Sequence, residues 1–369
     1  MNRSLKKRIS AYLLTGVLTL ASIGNMSVFA AEKTPFQDVL ESASYAEGVQ
    51  YVYNKGIASG TSATTFSPDR QITFGELSVM LCRAYWPNKT WTFDEATNWV
   101  VNKQMELFVD PVAEQKSLVS RSAAYHAVFA CLKAPVYGKS LYEPQDEESG
   151  NQNDAYIYTA FRMGLCSEET EPLELVTRGE VAELLYKISQ NTLTIDPPLI
   201  MKRTHAIIED EYLVRSNLYF TAASSVPESI LDQFETSGWT FVIGDDRIIQ
   251  FNEENNMTAT GLTSYAKKTI YACNARSVVH EFGHFLSDQL SAQELEIIKQ
   301  LYNSESEQAE PVIGSYSTTN DGEYFAEFFE KWISWKNNST KRQMLKSAAP
   351  QTYMFFEQLE AQDWVSSTE

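Results

Sequence analysis

The sequence is poor in basic residues, in histidine and in paired cysteine. Only 30 Lys and Arg stand against 48 Asp and Glu, a formal net charge of −18, and so acidic a surface excludes nucleic acid as the partner. The four cysteines, Cys82, Cys131, Cys166 and Cys273, show no C-x-x-C pair. That removes a thiolate metal cluster and a spaced disulfide framework, leaving them to be read as buried thiols. No apolar run is long and unbroken enough to span a membrane. The run Ala11 to Ala21 follows Arg3, Lys6, Lys7 and Arg8 and precedes Val28-Phe29-Ala30. This is the layout of a secretory leader over residues 1–30, with the mature chain starting at Ala31 and no membrane span after cleavage. Loss of those four basic residues takes the charge from −18 to −22. Histidine is the sharpest scarcity: of His126, His205, His280 and His284, two fall in one five-residue motif.

That motif is His280-Glu281-Phe282-Gly283-His284, set in an apolar helical stripe of Val278, Val279, Phe282, Phe285 and Leu286. Positions i and i+4 stack on one helix face, so the two imidazoles can reach one metal ion while Glu281 addresses its open coordination position. A catalytic zinc ion needs a third protein ligand. The metzincin pattern would place glycine and histidine where Ser287 and Leu290 stand, which excludes it. The gluzincin alternative takes a glutamate from a later helix, and Asn320-Asp321-Gly322-Glu323-Tyr324-Phe325-Ala326-Glu327 offers one. Glu323 can complete the metal ligands, with Glu327 on the same helix face accepting an N–H from a ligating histidine. Asn320-x-x-Glu323 also spells a capping box, so a purely structural role for Glu323 stays open at this point.

Residues 36–190 carry a degenerate repeat. The clearest copy runs Phe36-Gln37-Asp38-Val39, Gly56-Ile57-Ala58-Ser59-Gly60, Phe66-Ser67-Pro68, then Thr73-Phe74-Gly75-Glu76 before a helix from Leu77 to Tyr85. A second copy has a first helix from Trp99 to Leu107 and opens its second at Ser120-Arg121-Ser122-Ala123. A third has Phe161-Arg162-Met163-Gly164-Leu165 and Thr177-Arg178-Gly179-Glu180. The clearest copy is two short helices joined by a glycine-punctuated turn, too little to bury a core without neighbours. The three units, about 34–88, 89–135 and 150–190, resemble surface-layer homology (SLH) domains. That family packs as a three-fold bundle and holds proteins on the Gram-positive cell wall through a secondary polysaccharide. The resemblance implies wall-polymer contacts at Arg121 and Arg178, at helix starts where free N–H groups and an arginine fork suit a carboxylate. Phe74 takes that arginine's place in the first copy. Pro144 to Asp154 reads as an acidic loop.

Thr194-Ile195-Asp196-Pro197-Pro198 forbids a continuous helix and marks a linker over 194–200, dividing a wall-binding region, 31–193, from a second domain, 201–369. In that domain Pro227 to Phe234 reads as helix, and Trp239 to Ile243, Arg247 to Phe251 and Thr269 to Ala272 as strands. Asn274 is an N-cap before the motif helix, and Ser291 with Glu294 a capping box for the next. The edge of such a sheet can hold an extended peptide beside the metal.

The motif, followed by Ser315-Tyr316, by Asn320 to Glu327 and by Ala348-Ala349-Pro350-Gln351-Thr352-Tyr353, resembles the catalytic domain shared by anthrax lethal factor and the secreted Pro-Pro endopeptidases. The resemblance covers roughly the final 170 residues. It implies one Zn2+ per chain on His280, His284 and Glu323, a general base at Glu281 and an oxyanion-stabilising phenol at Tyr316. The expected fold class is multidomain: a mostly α-helical SLH repeat bundle followed by an α+β zincin-like metallopeptidase domain. The expected function is a secreted, wall-attached zinc metalloendopeptidase acting on proline-rich surface or secreted proteins at Pro-Pro bonds. Trp239 is an aromatic candidate for the substrate wall, or else a core residue behind the sheet. Two other readings are a lethal-factor-type peptidase with a different cleavage rule and a non-catalytic, adhesive S-layer protein.

Overall fold

A computed structural model describes residues 9–10, 34–142, 154–191 and 193–366. The chain is a helical multidomain protein with one small mixed sheet. It divides between Asp196 and Pro197 into two compact units, the later one also taking in the two residues described near the start. The leader expected at 1–30 lies outside the described residues apart from Ile9–Ser10, and the acidic loop expected at 144–154 lies outside them apart from Asp154.

The first unit is built on three helices, Phe74–Tyr85, Arg121–Leu132 and Arg178–Gln190. Thr73, Ser120 and Thr177 cap them, and Glu76 and Glu180 complete capping boxes on the first and third. Just before the caps, Ile72, Val119 and Val176 close a ring of backbone hydrogen bonds. Ile72 N–H donates to Val176, Val176 N–H to Val119 and Val119 N–H to Ile72, at 3.1, 2.9 and 3.2 Å. The helix starts extend the same cycle. Phe74 and Gly75 donate to Ser117 and Gln115, Arg121 and Ser122 to Glu174 and Pro172, and Arg178 and Gly179 to Arg70 and Pro68. The first-turn donors expected to be free for an anionic polymer are therefore already paired at all three helix starts.

Gly56 and Gly164 take positive φ in the turns of the first and third copies, where Glu106 does the same in the second. The second copy's opening helix, expected at Trp99 to Leu107, is instead Phe93–Thr97 continued by a π-helical stretch, Asn98–Gln104. All four cysteines are free thiols; Cys82 is buried, and the other three are half-buried rather than fully enclosed.

In the second unit the strands are β1 (Ile9–Ser10), β2 (Ile207–Ile208), β3 (Thr240–Ile243), β4 (Gly261–Ser264) and β5 (Thr269–Ala272), in spatial order β1-β2-β3-β5-β4. β2, β3 and β5 run parallel, while β4 lies antiparallel to β5 at an edge. Arg247 to Phe251, expected as a strand, belongs to the helix Asp246–Asn255. The cause is a distant cap: the Glu209 carboxylate accepts the N–H groups of Asp245 and Asp246 and starts a helix there.

β5 feeds an Asn274-capped turn and then the motif helix, Val278–Asp288. Phe282 and Phe285 pack against Phe234 with ring centroids 5.0 and 4.9 Å apart, and Phe285 meets Trp239 at 5.2 Å. The helix Ala292–Ile313 follows, then a turn, Ser315–Thr318, and the helices Asp321–Ser334, Ser339–Ala348 and Pro350–Ala361. Buried Glu305 caps the last of these, accepting from the N–H groups of Gln351 and Thr352 at 2.9 and 2.8 Å.

Candidate active site

The motif helix and the helix Asp321–Ser334 lie side by side because one residue between them has no side chain. A Cβ on Gly283 would stand 2.9 Å from Ala326 Cα, so only glycine permits this approach. Glu323, less than one turn before Ala326, is thereby carried up to the two histidines. Its Oε2 lies 3.1 Å from His280 Nε2 and 3.3 Å from His284 Nε2, and the two Nε2 atoms are 3.1 Å apart. Zinc with ligands at 2.0–2.1 Å in a tetrahedron would set its donors about 3.3 Å apart. Two imidazole nitrogens and a carboxylate oxygen at nearly that spacing fit a zinc ion.

Asn320 does cap this helix, accepting the Glu323 N–H at 2.9 Å, but the Glu323 carboxylate does not return to the cap and faces the histidines instead. Burial alone would raise the Glu323 carboxyl. The hydrogen bonds and charges of His280 and His284 outweigh it and bring the group down to about 2. On the far side of the His280 ring, Nδ1 lies 3.5 Å from Glu327 Oε1, and Glu327 continues to Lys331 at 3.5 Å and Lys331 to Glu330 at 2.9 Å. That carboxylate is within reach of the ring N–H, though farther than a formed hydrogen bond.

Glu281 is 5 % exposed, and burial raises its carboxyl against the lowering influence of both histidines and of Thr263. Thr263 Oγ1, from β4, donates to Glu281 Oε2 at 2.7 Å. Gly261, on the same strand, leaves room for that carboxylate, since any side chain at 261 would collide with it. These elements border a cleft of about 590 Å³, lined by β4, by Glu327, Glu330 and Tyr316, and by the apolar Phe251, Met257 and Tyr265. Tyr316 is 42 % exposed, with its ring 6.3 Å from that of His280. Burial and the three neighbouring glutamates, Glu323, Glu281 and Glu327, raise its phenol.

Residues 246–359 match the family described as anthrax toxin lethal factor, N- and C-terminal domain, and residues 35–78 match the S-layer homology domain. The chain carries a lethal-factor-like domain behind an SLH domain. No curated protein matches it. The SLH domain indicates attachment at the S-layer or cell wall, and among the described residues no helix is long and apolar enough to cross a membrane.

The lethal-factor-like region thus contains both the histidine motif and Glu323. Three other candidate positions have partners of their own. Trp239 is fully buried between Phe234, Phe285 and Tyr265 and does not line the cleft, because the strand it precedes turns it into the core. Arg178, in the first unit, is 7 % exposed; its guanidinium lies over Phe66 and donates to the Phe66 and Ser59 carbonyls, so its fork is already used. Arg121 is half-buried and bridges Glu174 at 3.1 Å and Glu180 at 2.7 Å. In the opposite direction, Gly261, Thr263 and Gly283 shape the site without having been singled out from the sequence. Of these, Gly283 left a readable sign: a glycine inside a strongly apolar helical stripe, where it weakens the helix unless something packs against it.

Proposed function

We propose that the chain is a wall-attached zinc metalloendopeptidase with a zincin-like α+β catalytic domain, cutting proline-rich proteins at Pro-Pro bonds. The observation that carries the reading is the convergence of His280, His284 and Glu323 to within 3.1–3.3 Å beside a buried, hydrogen-bonded Glu281 at the floor of an open cleft. Held by those three residues, zinc would supply Lewis-acid polarisation of a peptide carbonyl and a water acidified toward neutral pH.

The chain's own groups do the rest. Thr263 holds one Glu281 oxygen, leaving the other to take a proton from the attacking water and deliver it to the departing nitrogen. Burial raises the affinity of Glu281 for that proton, which suits a group that must accept it and then give it up. The Tyr316 hydroxyl, also in the cleft lining, donates to the carbonyl oxygen as charge grows there, an interaction stronger in the transition state than in the ground state. Glu327, 3.5 Å from His280 Nδ1, can accept that N–H after a small shift and so orient the ring.

β4 orients the substrate. In its antiparallel ladder with β5, Thr260 accepts from Cys273, so by alternation the backbone groups of Gly261 and Thr263 point to the open edge. Their N–H groups can donate to substrate carbonyls, which proline retains, whereas proline has no N–H to return. The apolar lining of Phe251, Met257, Leu262 and Tyr265 offers surface for pyrrolidine rings. SLH attachment would hold such a site beside other surface proteins, and a proline-rich segment in one of them would lie extended.

The test is digestion of a peptide library with central proline pairs, with Glu281→Ala as control. Cleavage between prolines that the variant loses is expected. Cleavage only elsewhere would sink the specificity, cleavage unaffected by Glu281→Ala the mechanism, and purified protein that binds no zinc would point to an adhesive, non-catalytic role.

A further inference from the structure

The chain contains 12 prolines, of which only Pro197 and Pro198 are adjacent. That single pair stands where one compact unit ends, at Asp196, and the other begins, at Pro197. Leu193 to Pro198 form neither helix nor strand, and Pro198, with φ −61° and ψ 155°, has the polyproline conformation of a proline-rich stalk. Resting on the Pro-Pro endopeptidase reading above, we propose that the protein is its own substrate: the lethal-factor-like half of one molecule cuts the Pro197–Pro198 bond of another and releases a catalytic half from its wall anchor.

The surroundings of the bond determine how it becomes available. Thr194, Asp196 and Leu199 are exposed on either side of it, which gives a protease flanking chain to hold. Pro198 itself is buried, and the Tyr142 hydroxyl donates to the Asp196 carbonyl at 2.5 Å. Pro198 caps a helix of only five residues, Leu199–Arg203, the kind of short element that opens locally well below the cost of global unfolding. Cleavage follows that opening, so release is slow compared with cleavage of an exposed stalk. The reaction is a hydrolysis and needs no co-reactant beyond water. The bond between the Pro197 carbonyl carbon and the Pro198 nitrogen breaks, hydroxyl joins the carbon to give a Pro197 carboxylate, and the proton goes to the Pro198 nitrogen as a new secondary-amine terminus.

The experiment incubates zinc-loaded wild-type full chain with a tagged Glu281→Ala full chain that cannot cut itself, in parallel with a central Pro-Pro library peptide and a synthetic peptide spanning Leu193 to Arg203. The expected result is a fragment of the tagged chain whose N-terminal residue is Pro198, and cleavage of the 193–203 peptide at the same bond. A Pro198→Ala version of the tagged chain should lose that fragment, while Pro198→Ala placed in the active enzyme leaves its rate on the library peptide unchanged. Cleavage of the library peptide with the 193–203 peptide left whole overturns self-cleavage and leaves the Pro-Pro reading standing. Cleavage of both peptides with the full chain left intact overturns it equally. Failure to cut the library peptide at all removes the Pro-Pro reading and self-cleavage with it.

Discussion

Replacing Gly283 with alanine should separate zinc binding from folding. The added Cβ would lie 2.9 Å from Ala326 Cα and 3.3 Å from Ala326 Cβ, where carbon atoms ordinarily stop at about 3.5–4.0 Å. The motif helix and the helix Asp321–Ser334 must therefore move apart by roughly 0.6–1 Å. Overpacking of that size costs about 1–3 kcal/mol, and exchanging a mid-helix glycine for alanine returns about 1 kcal/mol, so the net loss of stability is only about 0–2 kcal/mol. The metal site is less forgiving, since ligand distances tolerate only about 0.2 Å. Glu323 rides on the helix that moves, while His280 and His284 stay on the other. We expect zinc affinity at least about tenfold weaker, or about 1.4 kcal/mol, in competition with a chromophoric chelator. Thermal unfolding in EDTA should fall by no more than about 8 °C, since each kcal/mol moves the midpoint of a domain this size by about 2–4 °C. Wild-type zinc affinity in a folded Gly283→Ala protein would refute the claim that this helix contact sets the ligand spacing.

Tyr316→Phe should lower kcat by about 10²–10³ with little change in KM, measured by steady-state cleavage of the best library peptide; an unchanged kcat would remove Tyr316 from the chemistry. Thr263→Val should leave zinc content intact yet reduce kcat, because a buried Glu281 oxygen loses a neutral donor, and Thr263→Ser should restore most of the rate. Equal rates in the Val and Ser variants would deny Thr263 that positioning role. His126 stacks on Tyr156 and is held by burial at about 4, well below its ordinary value near 6.5. As pH falls the unfolded chain takes up this proton first. The stability is full above about pH 6.5 and lost on the way to about pH 4, on the order of 1–3 kcal/mol after screening. His126→Phe should flatten that part of the acid unfolding curve in urea titrations.

The parts of the fold that sequence reading reached are those specified locally. His280 and His284 are legible as neighbours because helical periodicity alone stacks i and i+4, and Thr73, Thr177 and Ser291 are legible as caps because their partners lie three residues away. Glu323 could be sought because two histidines leave a zinc shell incomplete. What escaped depends on distant partners. Arg247 to Phe251 has enough β-branched and aromatic residues for a strand, but Glu209, far back in the chain, supplies the cap that makes a helix. Arg178 looks like an open surface fork until Phe66 and Ser59 from the first copy close over it. The pairing of Thr263 with Glu281 and the approach of Gly283 to Ala326 are likewise set by how strand and helices assemble, which no local spacing announces.

The cycle linking Ile72, Val119 and Val176 makes the first unit a ring in which every copy both gives to one neighbour and receives from the other. A linear stack of repeats has two ends and needs special terminal units to protect them; a ring of three has none. Subtracting one copy does not shorten such an assembly but leaves two raw faces and a set of unpaired donors and acceptors at once. The first copy, clear as it is in sequence, is thus completed only by the two copies that follow it.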